Sequence, residues 1–283
     1  MGDALRRPSR TAERAAVLRA AHQLLDDPRI LDDPIAVRLI GREQAAALRA
    51  DPQPFDTLAA RRLRTSIAIR SRYAEDNLRE AFRRGVRRYV ILGAGLDSFA
   101  YRNPFEDLRV YEVDQSATQA WKRRRLRDAE VDVPKSLTFV SVDFETERLP
   151  EAMRRAGIDA SAPTFVSWLG VTVYLTREAV MGTLAWVASL APGSEIVFGY
   201  AITPSSLGAD GRAAVERIAA RAAAAGEPWR TFFEPEVLRR DLERLGFAAV
   251  EDFTPEQAVE RYLRGRGDGL WTGSALRLMK ARR

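Results

Sequence analysis

Tyr-Val-Ile-Leu-Gly-Ala-Gly-Leu-Asp-Ser, residues 89 to 98, is a buried-type apolar run that stops at two glycines, Gly93 and Gly95. A run without polar alternation suits a strand covered on both faces. Glycines one residue apart let the backbone turn sharply and come close to a ligand. In open α/β sheets, ligands sit beyond the carboxyl ends of the strands, which is where this turn falls. Alone the signal is weak, because any tight strand-to-helix turn favours glycine.

The surroundings strengthen it. Downstream, residues 109–113 (ArgValTyrGluVal), 137–142 (LeuThrPheValSerVal), 164–168 (ThrPheValSerTrp) and 195–199 (GluIleValPheGly) are four more near-continuous apolar runs with helical segments between them. PheAlaAlaValGluAsp from 247 and SerAlaLeuArgLeuMet from 274 to 279 add two strands joined by a loop, predicting an antiparallel hairpin at the sheet edge. The expected fold is α/β: a doubly wound, mostly parallel, seven-stranded Rossmann-like sheet.

Upstream, apolar positions at helical spacing predict a helix from Arg10 to Leu25, and a second from Thr57 to about Arg84, ended by Gly85. The expected organisation is an N-terminal helical cap over 1–85 and a ligand-binding domain over 86–283. The latter carries an alanine-rich helical insertion at about 204–230, read as a lid or as a plain surface excursion. A helix from Glu234 to Leu245 follows it.

Composition removes several chemistries. The 283 residues hold no cysteine and one histidine, His22. Thiol catalysis, Cys-ligated zinc, a two-histidine metal site and a Ser-His-Asp triad are thereby excluded. No metal site is expected, and His22 reads as a packing residue. The formal charge of +6 comes almost entirely from arginine, since Lys122, Lys135 and Lys280 are the only lysines, and it is interleaved with acid. This balance points away from nucleic acid, and the basic run Lys122 to Arg125 reads as a solvated helix face. No apolar run reaches the roughly 20 residues of a membrane span, and the basic start, Met1 to Arg10, lacks a signal-peptide core. A cytoplasmic protein is expected.

Asp114 ends the second predicted strand about 20 residues after the glycines, where an acid accepts the ribose hydroxyls of an adenosine-containing cofactor. The plain alternative is that Glu112 or Asp114 caps the next helix. A dinucleotide site wants a third glycine, and Ser98 stands in its place. No lysine has a tyrosine four residues before it, so the short-chain dehydrogenase relay is missing as well. Asp143, after the third strand, is where a methyltransferase places an acceptor for the adenine amino group, with Phe144 against the ring. The alternative for Asp143 is a loop cap.

TyrValIleLeuGlyAlaGlyLeuAspSerPheAlaTyrArg, ValTyrGluValAspGln, SerValAspPheGlu and SerTrpLeuGlyValThrValTyrLeuThr, in this order, closely resemble the leucine carboxyl methyltransferase family, in its bacterial S-adenosylmethionine-dependent branch. The likeness extends to SerArgThrAlaGluArgAla at 9–15 and to ProTrpArgThrPhePheGluProGlu at 228–236. It implies a class I methyltransferase with S-adenosyl-L-methionine as cofactor. It also implies that Arg70, or its neighbour Arg72, grips the carboxylate of the donor's methionine moiety, a bidentate task suited to guanidinium. One departure is Leu169, where many relatives carry glutamate.

Methyl transfer from a sulfonium depends on alignment and on exclusion of water. A carboxylate, with a pKa of about 4, needs no base at neutral pH, whereas a phenol, at about 10, does. A chain poor in bases therefore points to O-methylation of a carboxylate on a small molecule or peptide, giving a methyl ester. The alternatives are methylation of a hydroxyl in secondary metabolism and a non-catalytic module that binds the donor. Tyr174 is the candidate for orienting the acceptor, and Arg230 the candidate for pairing with it. The acceptor's identity and any homo-oligomer are left open.

Overall fold

The computed structural model describes residues 9–271, 273 and 276–283. Seven strands form one sheet: β1 (Arg88–Leu92), β2 (Arg109–Asp114), β3 (Leu137–Ser141), β4 (Thr164–Trp168), β5 (Glu195–Ala201), β6 (Ala249–Phe253) and β7 (Leu276–Arg282). Their order is β3-β2-β1-β4-β5-β7-β6. β1 to β5 are parallel, while β7 runs antiparallel to both β5 and β6. Strand order reverses at β1, which lies between β2 and β4, so a crevice opens at the carboxyl end of β1. The final strand begins at Leu276; Ser274 and Ala275, placed in a strand by the sequence reading, lie outside the described residues.

Around the sheet lie α1 (Arg10–Leu25), α2 (Pro34–Leu39), α3 (Arg42–Ala50), α4 (Gln53–Asp56), α5 (Leu58–Arg83), α6 (Ser116–Asp128), α7 (Leu149–Arg155), α8 (Arg177–Ser189), α9 (Ala209–Ala224), α10 (Pro235–Leu245) and α11 (Pro255–Ala258). Several boundaries follow local chemistry. The Ser9 hydroxyl accepts from the Ala12 amide at the start of α1, and the Thr57 hydroxyl accepts from Ala60 at the start of α5. Gly85 and Gly246 follow α5 and α10 with φ of +98° and +100°, the left-handed turn that ends a helix. None of the described helices is long and apolar enough to cross a membrane.

Period-2 alternation along β1 divides the core. Val90 and Leu92 face α8 and α10 through Val180, Leu184, Leu238 and Leu242. Tyr89 and Ile91 face α5 through Ile69, Tyr73 and Leu78. The last helix of the cap is thus part of the sheet's own core, with α1 packed on its outer side.

Three expectations change. Lys122 is not on a solvated face: it is 1% exposed and its ammonium lies 2.6 Å from the equally buried Glu112. Arg125, in the same run, is part-buried and donates to the Ile40 carbonyl at 3.1 Å. Lys122 turns onto the sheet and Arg125 meets the end of α2, since α6 also sets Trp121 in a cluster with Ala36, Ile40, Ala45 and Leu48. Second, the connection between β6 and β7 is not a bare loop, since α11 leads into a π-helical turn, Val259–Leu263. Third, β5 runs on to Ala201, beyond Gly199, through pairing with β7.

The insertion leaves β5 and returns to the same point. Thr203 donates to the Phe233 carbonyl at 3.2 Å and Phe233 donates to Ala201 at 2.9 Å, closing its base. His22 is fully buried: Nε2 accepts from the Ile30 and Leu31 amides at 3.0 and 3.1 Å, so Nδ1 carries the proton and donates to Asp26 at 2.6 Å.

Candidate functional site

The turn after β1 bends through two left-handed glycines, Gly93 at φ +63° and Gly95 at +47°. At Gly93 a side chain is also excluded by space, since its Cβ would collide with Val171 Cγ2. The Gly93 and Ala94 amides donate to the Val113 carbonyl at 2.8 and 3.1 Å, fixing the turn against the end of β2. Above it opens a cavity of about 960 Å³, at the upper end of the roughly 300–1,000 Å³ typical of small-molecule sites.

Asp114 reaches this cavity from the end of β2. One carboxylate oxygen accepts from the Gly95 amide at 2.7 Å and the other from Gln115 at 2.7 Å. Burial pushes its pKa above the ordinary carboxylate value, and those two amides restrain the rise. It is not the side-chain cap of α6, which has none. Glu112, two residues earlier on the same face of β2, is occupied instead by its pair with Lys122.

Arg70, near the middle of α5, lines the same cavity. Burial, with Arg19 adding to it, pushes its pKa down to about 10. Its Nε is buried without a partner, and among the described residues no carboxylate forms an ion pair with it. A buried cation in that state is costly unless an anion arrives. Arg72, by contrast, is bound to Asp76 at 2.9 Å and to the Ile30 carbonyl at 3.1 Å, away from the cavity. Room for Arg70 is made by Gly170, at φ +74°, where a Cβ would stand 2.5 Å from Arg70 Nη1. Leu169 packs with the α5 side of the core.

Phe144 lines the cavity beside Trp168, with ring centroids 6.0 Å apart. Asp143 does not line it; its Oδ1 accepts from the Glu145 amide at 3.0 Å in the turn that presents Phe144. Tyr174 lines the cavity from the short 3-10 turn after β4. Arg230 lines it too, but its guanidinium lies 3.2 Å from Glu145 while its amide donates to the Val173 carbonyl at 2.7 Å.

The structure thus gathers Arg70, Gly93, Gly95, Asp114, Phe144, Tyr174 and Arg230 round one space, with Asp143 next to it. Sequence reasoning missed Gly170, Asp97 and Glu227. Asp97 lines the cavity just after the glycine turn, within the stretch that decided the fold. Glu227, from the insertion, accepts from the Arg10 and Thr11 amides at 3.1 and 3.0 Å and from the Thr11 hydroxyl, so the insertion is fastened to the start of α1 across the cavity. No sequence signal marks such a fastening, because its partners are far apart in the chain.

The chain is similar to several known proteins. The sequence profile of the leucine carboxyl methyltransferase family matches residues 12–188. A Bacillus subtilis protein, "Putative S-adenosyl-L-methionine-dependent methyltransferase YktD", is 34% identical over 90% of this chain and 91% of its own. A like-named protein of Mycolicibacterium gilvum is 35% identical, covering 78% of this chain and 71% of that one. Among solved structures, a methyltransferase-titled protein from Thermobifida fusca has the same fold, with a TM-score of 0.57 at 18% identity over 99% of this chain and 96% of that one. A Streptomyces avermitilis protein is similar, at a TM-score of 0.55 and 17% identity over 95% and 97%. A matched profile over more than half of the chain, and a relative this similar along nearly its whole length, establish that the protein belongs to the leucine carboxyl methyltransferase family.

Proposed function

We propose that the protein is an S-adenosyl-L-methionine-dependent O-methyltransferase whose acceptor is a carboxylate on a small molecule or peptide. The observation that carries the donor assignment is Arg70, a buried guanidinium without an anion in the cavity that also holds Asp114 and the glycine turn. The residues present fit the donor: Arg70 takes its carboxylate, Asp114 its ribose hydroxyls, and Phe144 flanks its adenine. Asp143, in the turn that presents Phe144, is proposed to accept from the adenine amino group. When bound, S-adenosylmethionine supplies a methyl carbon activated by sulfonium.

What remains for the chain is to align the acceptor and keep water out. Tyr174 is proposed to orient the acceptor. Arg230 is proposed to contribute positive charge at the rim, shared with Glu145. The choice of a carboxylate rests on the scarcity of bases: the one histidine has both ring nitrogens engaged in the cap and is not among the residues lining the cavity. An acceptor ionised below neutrality needs no proton removed.

The test is incubation with methyl-labelled donor and a panel of acids and phenols, followed by mild alkali. Methyl esters release labelled methanol, and this is the expected result. Label that survives alkali identifies an ether and transfers the reading to a hydroxyl acceptor; donor binding without label transfer to any compound identifies a module that only binds.

A further inference from the structure

Given the donor reading above, its amino-acid end brings a cation as well as an anion, and the cavity must satisfy both. Arg70 answers the anion. The acids that line the cavity among the described residues are Asp97, Asp114 and Glu227. Asp114 holds two backbone amides at the end of β2, and Glu227 is occupied by three donors at the start of α1. Asp97 is different. Its Oδ1 accepts from the Phe99 amide at 2.9 Å, but its Oδ2 reaches only Arg19, at 3.5 Å from each of two nitrogens.

That contact is weak because Arg19 has a shorter bond, to the Ser71 hydroxyl at 2.7 Å, and stands 3.6 Å from Asp33. The Asp97 side chain keeps 16% of its exposure, and the space it faces is the cavity. Burial acts to raise its pKa, but Arg19, Lys122 and the Phe99 amide more than offset this, so the group is an anion at neutral pH. It is near enough to Arg70 for its charge to act on that guanidinium. The side chain at 169 is leucine and offers the donor no acceptor.

We infer that Asp97 receives the α-ammonium of the donor, so that Asp97 and Arg70 together read the zwitterion. Both then act on groups remote from the reacting methyl, and Asp97 is a binding residue that discriminates ligands by their amino-acid end.

Calorimetric titration of the full chain with S-adenosylhomocysteine and with 5′-methylthioadenosine, which lacks the amino-acid end, tests this. Asp97→Asn, which keeps an acceptor for the Phe99 amide, is expected to weaken S-adenosylhomocysteine at least about tenfold and methylthioadenosine less than about twofold. Asp97→Ser is expected to give the same selectivity, and because the readout is a ratio of two ligands on one preparation, a partly unfolded fraction does not alter it. Equal loss for both ligands, or none for either, overturns the inference while leaving the donor reading intact. Failure of the wild-type chain to bind either compound overturns the donor reading, and this inference with it.

Discussion

A methyl group at Gly170 would sit 2.5 Å from Arg70 Nη1, on a backbone at φ +74° that L-residues disfavour. Gly170→Ala is therefore expected to cost about 1–2 kcal/mol of stability from the backbone alone and to displace the guanidinium. Its affinity for S-adenosylmethionine should fall at least about tenfold, and calorimetry with parallel denaturant melts separates the two effects. At Asp114, replacement by Asn removes the charge while keeping the shape. With charge-assisted bonds contributing about 1.5–3 kcal/mol each, donor binding should weaken by about tenfold or more. Unchanged affinity would refute the ribose assignment. At this scale the sequence was a good guide to position wherever a residue stands at a strand end, as for Gly93, Gly95, Asp114 and Phe144, which line one cavity. It was blind where the role depends on a partner from another element. Arg230 appears as a free cation in the sequence and is paired with Glu145; Gly170 carries no mark in the sequence and leaves the space that Arg70 occupies.

Among the elements, α1 and the insertion are joined through the Glu227 carboxylate. Glu227→Ala leaves the Arg10 and Thr11 amides without it, and the start of α1 should then fray, as should residues 209–230. Hydrogen exchange at both segments is expected to accelerate, with little change in the sheet; protection preserved in both would show that the contact carries no weight. Strand and helix positions were largely legible, because buried parallel strands lack polar alternation and because Thr57, Gly85 and Gly246 mark helix ends. The Lys122 run was misread for a physical reason. Four consecutive basic residues point in all directions around a helix, and only tertiary packing decides that Lys122 turns inward to Glu112 while Arg123 and Arg124 do not. The π-helical turn after α11 likewise has no pattern of its own in the sequence.

For the molecule as a whole, that buried pair has a measurable signature. Burial pushes the Glu112 carboxyl from its ordinary 4.5 up to about 7, against the pull of Lys122. A raised pKa means that the folded state holds the proton more tightly, so the stabilisation is complete below about pH 4.5 and is lost as pH rises to about 7. Urea unfolding across that interval should show this decline, and Glu112→Gln combined with Lys122→Met should flatten it. Glu112→Gln alone, which strands the ammonium, is expected to cost about 3–5 kcal/mol. The doubly wound sheet was readable from the alternation of apolar runs and helices. The fusion of α5 into its core was not, since a division at residue 85 places Ile69, Tyr73 and Leu78 on one side and the β1 residues they cover on the other.

The fastening of Glu227 to the first turn of α1 has a kinetic corollary. With the donor proposed to sit on the strand tips below this fastening, exchange of spent for fresh donor is expected to require the two segments to part. Slow unbuckling would then set the pace of multiple turnovers, and a viscogen such as sucrose should retard steady-state cycling while leaving the first methyl transfer untouched.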